Sequence, residues 1–343
     1  MAAMHAAVEA IEYILPSRTE TIAQLAQTHP HWAPNKLARR TGIHTRHLAD
    51  NGETASDIAV QAAQNLFARG RWSPGDFDFL LFCTQTPDYF LPTTACLMQQ
   101  RLDLPQSAGA LDVNLGCSGY IYGLGLAKGL IETGQAQRLL LITADTYSKF
   151  INPDDKSVRA LFSDGATATV VTATAEQPAI GPFVYGTDGS GGKDLIVPMG
   201  GMRRPFGAQP PDEYSDRFGN RRSPRNIYMN GKAIVEFSLR EVPPAVTTLC
   251  ERAGITLDEL DAVVPHQASA KVLQGIRERL GLPPERFITC MEDVGNTVSS
   301  SIPIALTMAR RDGLLQTPAY VMLVGFGVGL SWGATLVRLP AEF

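Results

Sequence analysis

The chain has 343 residues, of which 44% are hydrophobic and 19% charged, a composition typical of a globular protein with a large buried interior. Its formal net charge of -4 argues against general affinity for nucleic acid, which requires a basic face. No apolar run is long enough to span a membrane, and the N-terminus lacks the pattern of a signal peptide. The five cysteines are widely spaced without a Cys-x-x-Cys pair, so we expect a reduced cytoplasmic chain with no metal site.

Helical and strand-like patterns alternate along the chain, which predicts an α/β protein. The spacing of Ile58, Ala62 and Leu66 predicts a helix over 55–69. Short apolar runs predict buried strands at 78–84, 138–143, 262–265, 320–324 and 334–339. Residues 200–226 interrupt this pattern and predict a long surface loop. That loop contains Pro205, Pro210, Pro211 and Pro224, together with Arg203, Arg204, Arg217, Arg221, Arg222 and Arg225.

The two halves of the chain share a pattern. The segment Ser73–Asp78 precedes one predicted strand, and Thr256–Asp261 precedes another with the same spacing of hydroxyl, acidic and apolar residues. The motif Gly-Ala-Thr opens a strand at Gly165 and again at Gly333. These matches occur in the same order in both halves, so we expect a duplicated α/β unit.

In each of these two matches, a fixed number of residues separates the segment in the first half from its counterpart in the second. A separation that lies between these two numbers pairs Gly116-Cys117 with Gly295-Asn296. The duplication therefore places Cys117 and Asn296 at equivalent positions, each followed by a run of small residues. We expect an N-terminal half at 1–175 and a C-terminal half at 176–343.

Four glycines lie in the helix predicted after Cys117. Each glycine costs about 1 kcal/mol relative to alanine in a helix, so close packing must offset the cost. We therefore expect this helix to lie deep inside the protein. The four positions are Gly119, Gly123, Gly125 and Gly129.

Cys117 lies where a predicted strand is followed by this glycine-rich helix. A free cysteine is commonly a small buried hydrophobe, and Cys83, Cys96 and Cys250 fit that role. At a helix N-terminus, however, partial positive charge lowers a thiol pKa from about 8.5 to roughly 3.5–7.5. Cys117 is therefore either a buried filler or a nucleophile, with backbone N–H groups nearby to hold an oxyanion.

Two polar residues in the C-terminal half are candidates for the same site. His266 follows a predicted strand at the end where α/β sheets bind ligands, although a lone histidine is often structural. Asn296 is either an ordinary helix N-cap or, through the repeat, a functional partner of Cys117. The other histidines lie in a polar N-terminal region and receive no role.

The glycine-rich segment Gly325–Gly333 follows a strand but does not match the dinucleotide-binding fingerprint. It indicates either a tight hairpin or a backbone that approaches a ligand closely. The segment Gly191–Asp194 lacks the residues of a phosphate-binding loop.

Taken together, these motifs resemble the thiolase superfamily, and within it the β-ketoacyl-[acyl-carrier-protein] synthase III group. The resemblance covers nearly the whole chain. It rests on the order of the following motifs: Arg40-Thr-Gly-Ile43 with Arg46, Leu91–Cys96, Gly116–Gly119, Leu161–Ala166, Pro265–Ala268, Gly295–Thr297 and Gly325–Gly333.

This resemblance implies a duplicated five-layer α-β-α-β-α fold, a homodimer and a Cys117-His266-Asn296 site. It implies that Cys117 takes an acyl group from an acyl-CoA, and that malonyl-carrier protein then loses CO₂ and attacks the acyl group. His266 and Asn296 would hold the enolate oxygen, while the backbone N–H groups of Cys117 and Val328 would form an oxyanion hole. No cofactor is implied.

The resemblance also implies contacts with CoA or with the arm of the acyl carrier protein. Arg40, Lys156, Ser269 and Lys271 occupy positions that bind this arm, and Leu91 occupies a position that lines the acyl pocket. Where the family has Arg, Lys156 keeps the charge but loses the bidentate geometry. Trp32 lies farther from Arg40 than expected for an adenine-stacking residue, so it is not assigned that role.

Three other functions are compatible with parts of the pattern. A related acyltransferase would pass the acyl group to an alcohol or amine, but the presence of Asn296 disfavours this reaction. A papain-like hydrolase has similar Cys and His spacing but lacks the expected secretory and disulfide context. A non-catalytic scaffold would leave Cys117, His266 and Asn296 as a coincidence.

Overall fold

The protein is described here by a computed structural model that covers residues 4–174, 176–207 and 211–343. The strands are β1 His5–Ile14, β2 Thr19–Thr21, β3 Thr45–His47, β4 Phe79–Cys83, β5 Gly109–Val113, β6 Arg138–Asp145, β7 Gly165–Thr174, β8 Ile180–Thr187, β9 Leu195–Ile196, β10 Tyr214–Ser215, β11 Arg221–Arg222, β12 Tyr228–Met229, β13 Ala262–Pro265, β14 Ala319–Gly327 and β15 Ser331–Leu339. The α-helices are α1 Ile22–Thr28, α2 Pro34–Thr41, α3 Ala55–Ala68, α4 Thr94–Arg101, α5 Gly119–Glu132, α6 Lys156–Arg159, α7 Gly231–Ala253, α8 Ala270–Leu280 and α9 Ser301–Arg311.

The helix and the five strands predicted from periodicity are confirmed. The helix is α3, which begins after a capping box between Thr54 and Asp57 and buries Ile58, Ala62 and Leu66. The predicted strands are β4, β6, β13, β14 and β15. Among the described residues, no helix is long and apolar enough to cross a membrane.

Two large sheets repeat one topology. The first has the strand order β1-β7-β6-β4-β5, and the second has the order β8-β15-β14-β13 when it is read in the same direction. In both sheets the first three strands are antiparallel neighbours and the next pair is parallel. Phe287 forms an isolated parallel bridge with Val263 of β13. It thus occupies the position next to β13 that corresponds to the position of β5 next to β4 in the first sheet. The predicted duplication is therefore present in the fold.

The helices complete five layers. The helices α5 and α9 contact strands of both sheets and form the central layer. The helices α3 and α4 cover the outer face of the first sheet, and α7 covers the outer face of the second and packs against α8. The predicted α-β-α-β-α arrangement is confirmed. The boundary between halves at 175 stays a prediction, because Ala175 lies outside the described residues.

Matching caps show that the repeat extends to local structure. Ser73 forms a capping box with Asp76 before β4, and Thr256 forms the same box with Glu259 before β13. Each box satisfies the free N–H groups of a short 3₁₀ turn and directs the chain into its strand. The shared sequence pattern thus encodes the same turn in both halves.

Close packing at three of the four glycines explains why α5 tolerates them. A Cβ atom at Gly119 would lie 2.3 Å from Cys83 Sγ, and one at Gly123 would lie 2.8 Å from Leu141 Cδ1. At Gly125 it would lie 2.0 Å from the hydroxyl oxygen of Tyr185. Gly129 differs, because a Cβ atom there would meet no neighbour within 4 Å. The expectation of deep burial is confirmed for one face of α5, which includes Gly119 and Gly123, but it is wrong at Gly129 and at Leu126, which are exposed.

The segment 200–226 is mostly irregular, as predicted, but it also contains an antiparallel hairpin formed by β10 and β11. Asp216 fastens the turn of this hairpin by accepting hydrogen bonds from the backbone N–H groups of Phe218 and Asn220. Pro210, one of the prolines that predicted the loop, lies outside the described residues.

Candidate active site

The repeat brings Cys117 to the centre of the fold. Cys117 lies between the end of β5 and the start of α5 and is 4% exposed. Gly327 at the end of β14 lies so close that a Cβ atom there would be 2.8 Å from Cys117 Sγ. Only glycine permits this approach of the backbone. The hairpin between β14 and β15 therefore covers the cysteine, which confirms the hairpin interpretation of Gly325–Gly333, while the approach of this backbone to a ligand stays a prediction.

The environment of the Cys117 thiol differs from the one predicted. Burial raises its pKa to about 12, although hydrogen bonds from the backbone of Val328 and of Cys117 itself lower it. The nearby Asp145 carboxylate raises this pKa further. The prediction of a lowered thiol pKa is therefore wrong, because loss of water outweighs the backbone donors. The same two backbone groups nevertheless point at the sulfur, where the predicted oxyanion hole would form.

His266 is held directly after β13. Its backbone N–H donates to the carbonyl oxygen of Val324, which continues the pairing of β13 with β14. The side chain is 2% exposed, and burial lowers the pKa of the imidazole from 6.5 to about 3, although a hydrogen bond with the backbone of Val298 raises it. The ring is therefore neutral near pH 7 and offers one N–H donor.

Asn296 is clamped by the first half of the chain. Its backbone N–H donates to Leu161, and its carbonyl oxygen accepts from the N–H of Ser163. The side-chain Oδ1 accepts from the backbone N–H of Val298 at 3.0 Å, which fixes the orientation of the amide. The Nδ2 atom then lies 3.4 Å from His266 Nε2. The asparagine therefore serves as a donor beside the imidazole.

One cavity of about 980 Å³ joins these three side chains to the surface. Cys117, His266 and Asn296 line its buried end, together with Phe326 and Gly327. Its exposed part is lined by cationic side chains, which are Lys36, Arg40, Arg217, Lys232 and Lys271.

Four of the five residues predicted to bind substrate lie in this cavity. Arg40 and Lys271 are exposed at its mouth, and Ser269 and Lys156 line its wall. The Nζ atom of Lys156 donates to the carbonyl oxygen of Phe218 at 2.6 Å. Lys156 therefore also anchors the hairpin of β10 and β11 to the cavity wall.

Comparisons with known sequences and with solved structures both point to one protein family. The family model of 3-oxoacyl-[acyl-carrier-protein (ACP)] synthase III matches residues 111–189, and the model of its C-terminal part matches 250–339. A beta-ketoacyl-[acyl-carrier-protein] synthase III of Clostridium perfringens is 36% identical over 93% of this chain and 94% of its own. A second protein of that name, from Streptomyces coelicolor, is 37% identical over 95% of both chains.

A solved 3-oxoacyl-(acyl-carrier-protein) synthase III superposes with a TM-score of 0.95 at 49% identity, covering 98% of this chain and 100% of the other. The chain belongs to the β-ketoacyl-[acyl-carrier-protein] synthase III family. Of the segments matched by the family models, the first contains Cys117 and the second contains His266 and Asn296. Membership in the synthase III family confirms that the chain is an enzyme of the condensing type with a thiolase-like fold.

Two residues of this synthase III lie elsewhere than the sequence indicated. Leu91 is 82% exposed in the loop before α4 and does not line the cavity of its own chain. Trp32, which received no role, lines the cavity and stacks on His29 with ring centroids 4.0 Å apart. Arg40 lies near the C-terminal end of α2, and it lines the same cavity as Trp32, so their spacing along the sequence did not exclude a shared site.

The arginines of the loop 200–226 have several roles. Arg222 is buried and forms ion pairs with Asp155 and Asp216. Arg221 pairs with Glu213, and Arg217 lines the cavity beside the exposed ring of Phe218. The charge of Arg222 thus holds the hairpin in place, whereas Arg217 remains accessible to a ligand.

A buried carboxyl group near Cys117 was not predicted from the sequence. Asp145 ends β6, is fully buried and accepts hydrogen bonds from the backbone N–H of Gln85 and from the hydroxyl of Ser299. Burial raises its pKa to about 7 despite these donors. Asp145 thereby links the loop after β4 to the segment that follows Asn296.

This raised pKa predicts how Asp145→Asn changes stability with pH. Between about pH 4 and 7 the Asp145 carboxyl is protonated in the folded protein and ionised in the unfolded chain. The free energy of unfolding of the wild type therefore falls as pH rises through this range. Asparagine does not titrate, so Asp145→Asn lacks this pH dependence. The free energy of unfolding of the variant minus that of the wild type should increase by up to about 1.4 kcal/mol per pH unit. Urea unfolding at pH 5 and pH 7 measures the difference, and equal differences at both values would contradict the assignment.

Proposed function

We propose that the protein is an acyltransferase that carries out a two-step decarboxylative condensation with acyl-CoA and malonyl-carrier protein. The observation that carries this proposal is the meeting of Cys117, His266 and Asn296 at the buried end of one cavity. A nucleophile with a backbone donor pair supports acyl transfer, and two neutral donors support formation of an enolate. Neither step requires a cofactor.

In the first step, Cys117 attacks the thioester carbon of the acyl-CoA. A bond forms between Sγ and the acyl carbon, the bond from that carbon to the CoA sulfur breaks, and the thiol proton leaves with CoA. The negative charge on the carbonyl oxygen is held by the backbone N–H groups of Cys117 and Val328. Because the resting thiol has a raised pKa, its proton must be removed as the bond forms.

In the second step, malonyl-carrier protein loses CO₂ and leaves an enolate. Its oxygen accepts hydrogen bonds from His266 Nε2 and Asn296 Nδ2, which lie 3.4 Å apart. Neutral donors suit this role, since the charge develops only in the reaction and the site excludes water. The enolate carbon then bonds to the acyl carbon, and Cys117 leaves as a thiolate that takes up a proton.

The cationic mouth would hold the phosphate groups of CoA and of the carrier arm. Arg40 and Lys271 are exposed there, while Ser269 offers a hydroxyl group farther along the wall. Phosphate recognition by Lys and Arg is strengthened by the charge on both partners. The pantetheine arm would pass between this mouth and Cys117.

Intact-protein mass spectrometry after exposure to a panel of acyl-CoAs tests the first step and identifies the donor. We expect one acyl group per chain on Cys117, removed when malonyl-carrier protein is added. An acyl-enzyme that is discharged by an alcohol or amine, but not by malonyl-carrier protein, would favour the acyltransferase without condensation.

A homodimer is the proposed assembly. Leu111 on the edge strand β5, Leu126 on α5 and Tyr185 on β8 are all large, apolar or aromatic and about half exposed. An exposed edge strand and half-exposed apolar side chains of this size are each typical of an interface. Leu91, exposed in its own chain, would then line the acyl pocket of the partner. Sedimentation equilibrium should give twice the 37.0 kDa chain mass, and a monomer at assay concentration would exclude this arrangement.

A further inference from the structure

A buried serine contacts His266 on the side of the ring opposite the cavity. The Nδ1 atom of His266 lies 2.6 Å from the hydroxyl oxygen of Ser301, the first residue of α9. Both residues are 2% exposed, so water does not compete for this contact. Ser301 lies outside the cavity lining and has no part in the two steps proposed above.

The hydrogen bonds of Ser301 identify the donor in this contact. Its hydroxyl oxygen accepts from the backbone N–H of Gln267 at 3.3 Å. Within the described part of the chain, the acceptor in reach of the hydroxyl hydrogen is His266 Nδ1. A buried hydroxyl that leaves its hydrogen unpaired is unfavourable, so Ser301 donates to Nδ1.

This hydrogen bond determines where the imidazole carries its hydrogen. A neutral histidine has one N–H group, and the ring nitrogen that accepts a hydrogen bond is the unprotonated one. Burial keeps the ring of His266 neutral near pH 7, since its pKa is lowered to about 3. With Nδ1 as the acceptor, the hydrogen lies on Nε2. The 3.4 Å contact between Nε2 and Asn296 Nδ2 then joins two donors rather than forming a hydrogen bond, and Asn296 Nδ2 donates to the carbonyl oxygen of Ala268 at 3.3 Å.

We propose that Ser301 is a positioning residue that holds His266 in the Nε2–H tautomer, so that Nε2 and Asn296 Nδ2 present two donors to the cavity. This inference rests on the proposed function, in which both atoms donate to the enolate oxygen. It assigns a role to the last serine of the Ser299–Ser301 run, which the reaction itself does not use.

The neighbouring Ser300 supplies a matched control. Ser300 is also buried, and its hydroxyl donates to the carbonyl oxygen of Thr143 at 3.0 Å, but it has no contact with His266. Ser301→Ala and Ser300→Ala each remove one buried hydroxyl from adjacent residues, and neither introduces a clash. A merely structural role would make the two variants alike.

Nitrogen-15 NMR of histidine-labelled free enzyme measures the tautomer without any substrate, with His266→Ala used to assign the signal. We expect a pyrrole-type Nε2 and a pyridine-type Nδ1 in the wild type and in Ser300→Ala. The Nδ1 signal should be shifted upfield by the hydrogen bond and should lose this shift in Ser301→Ala. A pyrrole-type Nδ1 in the wild type would overturn the inference, whatever the activity of the protein.

Rapid-quench kinetics then separates the two chemical steps. Ser301→Ala should lower the condensation rate by about 10-fold or more, because one donor in such a site is worth about 10²–10³ in rate and the variant disturbs that donor. Acylation of Cys117 should stay within about threefold of the wild-type rate. Condensation equal to that of Ser300→Ala would overturn the role of Ser301. By contrast, failure of the wild type to condense would reject the proposed function and leave the NMR result to stand alone.

Discussion

Cys117→Ala should form no acyl-enzyme with any acyl-CoA. The variant removes the atom to which the acyl group bonds, and no other cysteine lines the cavity described here. The change should leave the fold intact, since alanine occupies less space than cysteine beside Gly327. Intact-protein mass spectrometry after incubation with acyl-CoA measures the outcome.

Cys96→Ala provides the control for this experiment. The expectation that Cys96 is a buried hydrophobe is wrong, because it is an exposed free thiol on α4. Its removal should leave acylation unchanged. An acyl group found on Cys117→Ala but missing from Cys96→Ala would place the nucleophile elsewhere. Acylation of both variants at the wild-type rate would also contradict the role given to Cys117.

Asn296→Ala should separate the two halves of the reaction. The variant removes the Nδ2 donor beside His266, so decarboxylation should fall by about 10²–10³-fold. Acylation should persist within a few-fold, because Asn296 does not contribute to the backbone donors at Cys117. Single-turnover assays that measure acyl-enzyme formation and CO₂ release separately test both statements.

Thr297→Ala is the matched control at the neighbouring position. Thr297 is fully buried, and within the described part of the chain its hydroxyl oxygen has no hydrogen-bond partner. This variant should therefore release CO₂ at a rate within about threefold of the wild type. Equal losses in both variants would indicate a general disturbance of this segment. Loss of acylation in a folded Asn296→Ala would contradict the division of roles.

The repeat in the sequence paired Cys117 with Asn296, whereas His266 was predicted from its position after a strand and from the family resemblance. The capping boxes at Ser73 and Thr256 are local features, and they mark equivalent turns without any knowledge of tertiary structure. The glycines of α5 also indicate close packing from sequence alone, since three of the four positions leave no room for a Cβ atom. Gly129 shows the limit of that argument, because an exposed glycine has the same sequence signature.

The electrostatics of the site were not accessible from the sequence. The position of Cys117 before a helix predicts a lowered pKa, but the opposite shift results from burial under the β14–β15 hairpin. Asp145, far from Cys117 along the chain, adds to that shift. Such effects depend on distances between elements that are remote in sequence, as does the contact of Ser301 with His266.

Some of the predicted substrate-binding residues lie where the sequence placed them, and one does not. Arg40 and Lys271 were predicted from motifs that flank the site, and both lie at the cavity mouth. Leu91 belongs to a motif of the family, but its side chain points away from the cavity of its own chain. Its proposed role in the acyl pocket depends on a second protomer, which the sequence of one chain does not display.

The most direct test of the proposed reaction is the release of CO₂ from malonyl-carrier protein by the acylated wild-type enzyme. We predict one CO₂ and one β-ketoacyl thioester for each acyl group lost from Cys117, with no release from Cys117→Ala supplied with the same acyl-CoA and malonyl-carrier protein. An acyl-enzyme that forms fully but yields neither CO₂ nor β-ketoacyl product would contradict a condensing function.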